Sequence, residues 1–311
     1  MVEREYLESI AKDCYLFDDA NINIAIEKIL AFDEIYEKDN LAEIYNYILA
    51  NSTNPEILIT TIQCSDRIRD KSTLTFLLDW LLLKNINTQR ESFINVRVMC
   101  AKAIANLKDT SAVTPLLYCL NNKDENYKIR LACADALGKI GDRYAVAPLI
   151  AVVKDVDEKS VYLRESAASA LGMLGDIRAV EPLVSILETQ KGIWDKFTFL
   201  KERVIEALGK LRLDDNERVF NALKNSLMDE SPQVRINALE AIMDSENPMA
   251  AETIKKCLIE DENLEVKKNA MIALYNLIGR EILDEVANSQ NFPDELKFEA
   301  VSMISEYEED D

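Results

Sequence analysis

Along most of this chain, apolar positions recur every three or four residues rather than every second one. Leu131, Ala134, Leu137 and Ile140 fall at i, i+3, i+6 and i+9, a stripe that drifts slowly around a helix. Gly141-Asp142 interrupts the stripe, and a second apolar run follows from about Ala145 to Val153. Pro148 stands near the first turn of that run, where a missing N–H costs little. The pattern predicts two short antiparallel helices joined by a tight turn.

The same pattern returns. Val96–Leu120, Ile129–Val153 and Leu163–Leu187 superimpose, led by Arg97, Arg130 and Arg164 at spacings of 33 and 34 residues. Ala103-Ile104, Ala136-Leu137 and Ala170-Leu171 follow, then Asp109, Asp142 and Asp176, then Pro115, Pro148 and Pro182. Later copies keep the frame without the prolines: Lys201 precedes Ala207-Leu208, Arg235 precedes Ala241-Ile242 and Lys267 precedes Ala273-Leu274. Lys297 leads a weaker last copy, another copy begins near Leu58, and residues 22–50 resemble an earlier, divergent pair. A helix pair of this length cannot bury its stripe alone, so neighbouring pairs must stack. The expected fold is an all-α solenoid, an α-α superhelix of roughly seven or eight antiparallel helix pairs. Residues 1–311 are expected to form one array, with capping helices over 1–56, clear repeats over 57–278, and a cap with an acidic tail over 279–311.

The strings ALGKIGDRYAVAPLI and ALGMLGDIRAVEPLV resemble HEAT repeats of the phycobilisome-lyase type, an armadillo-like helical repeat. The resemblance is specific for fold and poor for function. Repeats of this kind occur in chromophore-lyase subunits and in many scaffolds, inhibitors and regulators that share no chemistry. It implies that the helix opening with each leading base lines the concave face.

An acid lies six residues before each leading base. The pairs are Glu91/Arg97, Asp124/Arg130, Glu158/Arg164, Asp195/Lys201, Asp229/Arg235 and Asp261/Lys267. The resemblance implies a structural ladder along the inter-repeat turns, tying backbone groups to adjacent units. Each acid also precedes a helix, where a carboxylate can cap free N–H groups. Ala101, Ala134 and Ala168 share a small-residue position suited to close helix approach, and Cys100 and Cys133 share another and could stack.

Composition narrows the function. The 311 residues carry 36 basic and 56 acidic side chains, a net charge of −20, and no histidine. Histidine catalysis and histidine metal ligation are therefore excluded, including the His-Glu iron site of the HEAT-like deoxyhypusine hydroxylase. Such acidity disfavours nucleic acid and anionic membranes and favours a basic protein partner. Six cysteines without a C-x-x-C read as reduced, buried thiols, and the charged start is unlike a signal peptide, so the expected location is cytoplasmic. No phosphate-binding loop or nucleophile elbow is present; no catalytic residue, metal or cofactor is expected.

Positions +2, +5 and +9 from each base mark the candidate protein-binding face, with Lys102, Asp135, Lys139, Ser169, Met173, Arg203, Glu206, Glu240 and Asp244 among its contacts. The connection over 190–199 adds Trp194 as either a contact or a cover for the hydrophobic edge, with Phe197 and Phe199 either presented there or folded inward at the start of the next helix. The resulting expectation is a non-enzymatic scaffold or regulator, including an inhibitor or immunity protein. The alternative is a chromophore-lyase-like subunit handling a tetrapyrrole, whose propionates Arg203 could meet. The sequence sets no oligomeric state.

Overall fold

A computed structural model describes residues 3–83, 90–188, 198–211, 217–245 and 247–309. Tertiary contacts group the chain into two compact units, residues 1–153 and 154–311, each described by itself; the expected boundaries at 56/57 and 278/279 fall inside them.

The first unit opens with α1 (Arg4–Asp13), α2 (Ile22–Ile35), α3 (Lys38–Asn51) and α4 (Pro55–Ile68). It continues through α5 (Leu74–Leu82), α6 (Glu91–Leu107), α7 (Val113–Asn121), α8 (Tyr127–Ile140) and α9 (Val146–Lys154). Helices α2, α4, α6 and α8 stack side by side as one layer, while α3, α5 and α7 form a second and each packs on the helix that follows it. In the second unit, α10 (Val161–Leu174), α12 (Thr198–Lys210), α14 (Pro232–Met243), α16 (Leu264–Ile278) and α18 (Asp294–Glu309) make the first layer. Against them lie α11 (Val180–Glu188), α13 (Glu217–Ser226), α15 (Ala250–Glu260) and α17 (Glu281–Asn288). The described residues contain no strand, and no helix among them is long and apolar enough to cross a membrane. The acidic end continues α18 as helix to Glu309.

The repeat frame explains the packing. Leu137, Leu171, Leu208, Ile242 and Leu274 are all but fully buried, each contributing about 1.5–3 kcal/mol over an exposed position. The alanines at Ala103, Ala136, Ala170, Ala207, Ala241 and Ala273 are buried where even-numbered helices meet. Closest of all is Gly172: a Cβ built there would lie 2.8 Å from the Ala207 Cα, so α10 and α12 touch nearly backbone to backbone.

The four turns that follow α4, α6, α8 and α10 are built the same way. Gly141 and Gly175 end α8 and α10 with φ of 83° and 62°, a left-handed conformation that suits glycine. Arg69 and Lys108 hold the same conformation, at 55° and 51°, at the ends of α4 and α6. The next residue is an aspartate whose carboxylate accepts the backbone N–H two residues on. Asp70, Asp109, Asp142 and Asp176 do so at 2.8, 3.0, 2.8 and 3.0 Å. A single 3-10 turn then leads into the shorter helix, with Pro115, Pro148 and Pro182 at its third position.

Candidate functional site

The leading bases are structural in every copy where their bonds are seen. The Arg97 Nε–H donates to the Leu81 carbonyl at 2.8 Å, and its two terminal nitrogens donate to Glu125 at 3.0 and 2.8 Å. Both side chains of that ion pair are 1% exposed. Arg130 donates to the Leu120 carbonyl at 2.9 Å. Lys201 reaches Asp229 at 2.7 Å, Arg235 grips Asp261 with two bonds of 2.7 and 3.0 Å, and Lys267 donates to the carbonyls of Leu258 and Ile259 at 2.8 Å. In three copies the base meets the acid of the following copy, 26 to 28 residues ahead, and Arg235 also donates to the backbone carbonyl of Asp229, six residues behind it, at 2.8 Å. In the second copy Glu125 takes this role rather than Asp124. Glu91 pairs instead with Lys128 in an exposed contact. Arg164 is buried and its pKa is lowered by desolvation, against the opposing charges of Asp155 and Glu158.

The acids cap one step earlier than the spacing suggests. Asn126, Ser160, Ser231 and Asn263 are the N-cap residues of α8, α10, α14 and α16. Glu158, Asp229 and Asp261 accept the backbone N–H of the cap residue two positions on, at 3.1, 3.0 and 2.8 Å. The acid is too far from the first helical turn to cap it, so it fixes the residue that does.

The candidate protein-binding positions lie on the layer of even-numbered helices. In the first unit Lys102 and Lys139 are exposed and Asp135 is half-buried. In the second, Glu240, Asp244 and Met173 are exposed, while Ser169, Arg203 and Glu206 are half-buried and neighbour one another on α10 and α12. Arg203 donates to Glu206 at 2.7 Å. Trp194, Phe197 and Asp195 lie outside the described residues. Phe199 opens α12 but is 66% exposed, so it does not fold inward.

Two residues that the +2, +5, +9 rule passes over complete this site. Glu165 and Glu202 directly follow the leading bases of adjacent copies, where other copies carry Val98, Leu131 and Ile236. Glu202 is 5% exposed and accepts no hydrogen bond from a described residue. Desolvation raises its pKa, the Arg203 charge lowers it and Glu206 raises it further. Glu165, half-buried, is likewise raised by desolvation, lowered by Arg203 and raised by Glu202. The signal was available in the sequence: a glutamate, twice, at a register position that is apolar in three other copies and Lys268 in another.

Other candidate chemistry is absent from the described residues. No group of three His, Cys, Asp or Glu side chains is placed to hold a metal ion. All six cysteines are buried free thiols. Burial raises the Cys100 pKa and pushes Cys257 up to about 11; Cys133 is raised first by its hydrogen bond with Cys119. A cavity of about 580 Å³ beside α13 and α15 is lined by Leu227, Met228, Met249, Thr253 and Cys257, on the layer away from Glu165 and Glu202. Trp80 serves packing: its indole N–H donates to the Leu49 carbonyl at 2.8 Å and its ring stacks on Phe93.

Comparison with known proteins agrees with this architecture. The model for HEAT repeats matches residues 82–161, 123–196 and 193–275, together well over half of the chain. No curated protein matches significantly. Among solved structures, the complex of CpcE and CpcF of phycocyanin lyase from Nostoc sp. PCC7120 is 23% identical with a TM-score of 0.46, covering 76% of this chain and 88% of that one. Human deoxyhypusine hydroxylase in complex with glycerol is 15% identical with a TM-score of 0.35, covering 87% and 95%.

Proposed function

The chain belongs to the HEAT-repeat family, and on that premise we propose that it is a non-enzymatic scaffold or regulator. It holds a protein with a basic patch against the even-numbered helices, and inhibition of that protein is one form the role can take.

One observation carries this reading: the leading bases are committed inside the frame, and the remaining surfaces keep more acids than bases. Arg97, Lys201, Arg235 and Lys267 are committed to carbonyls or to ladder carboxylates. The ladder is close to neutral in itself, so the net charge of −20 resides on the remaining surfaces. Glu240 and Asp244 are exposed with no ion pair among the described residues, while Glu206 is half-buried against Arg203. Such a field speeds encounter with a cationic partner and weakens as salt rises.

The test is capture from the native lysate on the immobilised full chain at about 0.05 M and about 0.5 M salt, spanning the range over which screening takes hold. Basic proteins should be retained at the low value and released at the high one. Retention of acidic proteins, or retention indifferent to salt, overturns the reading. Co-expression with a bilin separates the tetrapyrrole-handling role, for the scaffold should stay colourless.

A further inference from the structure

The carboxyl of Glu202 presents a physical problem that the fold does not solve. A buried acid normally finds a hydrogen bond or an ion pair, because an uncompensated one costs about 1–3 kcal/mol or more. Glu125, at the same level of burial, takes two bonds from Arg97 and one from the Asn126 N–H. Glu202 takes none from any described residue, although it is 95% buried. Its neighbour in sequence, Arg203, cannot serve it. Successive side chains on a helix diverge, and Arg203 turns to Glu206 three residues on. Glu165 stands at the equivalent register position on α10, held alongside by the close contact of Gly172 with Ala207. From α14 the equivalent positions are Ile236 and Asn237, neither charged. The charges acting on Glu202 are thus Arg203 and Glu206 from its own helix and Glu165 from α10.

Two features point to an outside occupant. Three carboxyls face one guanidinium here, leaving the cluster short of positive charge. Glu202 itself is the second: it is 95% buried and takes no hydrogen bond from a described residue. No set of three ligating side chains is placed for a metal ion, and Arg203 would repel one. A planar, weakly hydrated cation with forked donors matches paired carboxylates better than a compact ammonium.

We propose that Glu202 and Glu165 form the acceptor for an arginine side chain of the partner, entering between α10 and α12. This rests on the scaffold reading and names the group that the face recognises. In the free protein, burial favours the neutral carboxyl; the arriving guanidinium favours the carboxylate, so docking releases a proton to solvent.

The experiment is calorimetric titration of acetyl-tetra-arginine amide into the full chain at pH 6, in two buffers of different protonation enthalpy. The wild type should bind with net proton release and more tightly than to the tetra-lysine peptide. Glu202→Gln should weaken binding at least tenfold and abolish the release, while Glu217→Gln, on the exposed side of α13, should change affinity less than twofold. Because the substitution removes an unpaired charge, the Glu202→Gln melting temperature should equal or exceed that of the wild type, so that lost binding is not lost fold. Equal binding by wild type and Glu202→Gln, or equal binding of the arginine and lysine peptides, overturns the proposal. If lysate capture recovers basic proteins that Glu202→Gln still retains, the pocket fails and the scaffold stands. If the peptide binds through Glu202 but capture recovers no basic protein, the scaffold reading fails instead.

Discussion

Arg97 with Glu125 in the first unit and Glu165 with Glu202 in the second are two charged pairs, the first fully buried and the second setting a half-buried acid beside a buried one. The first joins opposite charges through two hydrogen bonds, with a carbonyl taking a third. The second sets like charges side by side, with Glu202 receiving no hydrogen bond from a described residue. One repeat frame therefore uses buried charge in two ways. Where every donor and acceptor is matched, the charge fixes register between copies. Where matching is withheld, the fold bears a cost that a proton, or the proposed arginine, can relieve.

The sharpest way to break the comparison is to unmatch the first pair. Glu125→Ala strands the Arg97 guanidinium in the core and should lower unfolding free energy by about 3–5 kcal/mol in urea titration. The double variant Arg97→Met with Glu125→Leu should recover most of that loss, because an apolar pair of similar volume needs no compensation. Next comes the contact that sets the spacing of the second pair. Gly172→Ala drives a methyl into the Ala207 backbone and should cost about 1–3 kcal/mol.

The second pair should respond with the opposite sign. Glu202→Leu restores the apolar residue that the register position holds in other copies, and should stabilise the protein by about 1–3 kcal/mol at pH 7. The pH dependence follows from the raised pKa of Glu202. The native state keeps the proton to higher pH than the unfolded chain, so it binds more protons as pH rises above the ordinary glutamate value of about 4.3. Stability associated with the wild-type carboxyl is present below that value and is lost as pH rises through the native pKa. The advantage of Glu202→Leu over wild type should therefore be small at pH 4 and open as pH increases, read from paired denaturant titrations. The smallest effect belongs to the turns. Lys108→Gly, at φ of 51°, should gain about 1 kcal/mol by relieving a left-handed conformation, without changing either pair.

Much of this organisation was legible in the sequence. The helical stripe led by Leu131 and the recurring Ala-Leu and Pro-Leu pairs lead directly to the stacked helices, because periodicity and turn chemistry are local properties. The same turn also forms without glycine at Arg69 and Lys108, where the downstream aspartate keeps its bond to the backbone. Partner choice within the ladder was harder to read. Glu91 and Arg97 are six apart in sequence, but stacking brings Glu125, from the next copy, to the guanidinium. Glu165 and Glu202 escaped notice because a chain with 56 acids makes any single glutamate look solvated. Only their register, occupied by Val98, Leu131 and Ile236 in three other copies and by Lys268 in a fourth, marks them out.

The buried thiols make the chain its own clock. All six thiols are buried, Cys257 at the wall of the cavity beside α13 and α15, and Cys14, Cys64, Cys100, Cys133 and Cys257 are held further from the reactive thiolate. An alkylating reagent added to the folded protein must wait for each copy to open. The order in which the six sulfurs are modified, read by mass spectrometry, would therefore rank local openings along the array without any engineered label. Cys257 would report on the second unit and the other five on the first.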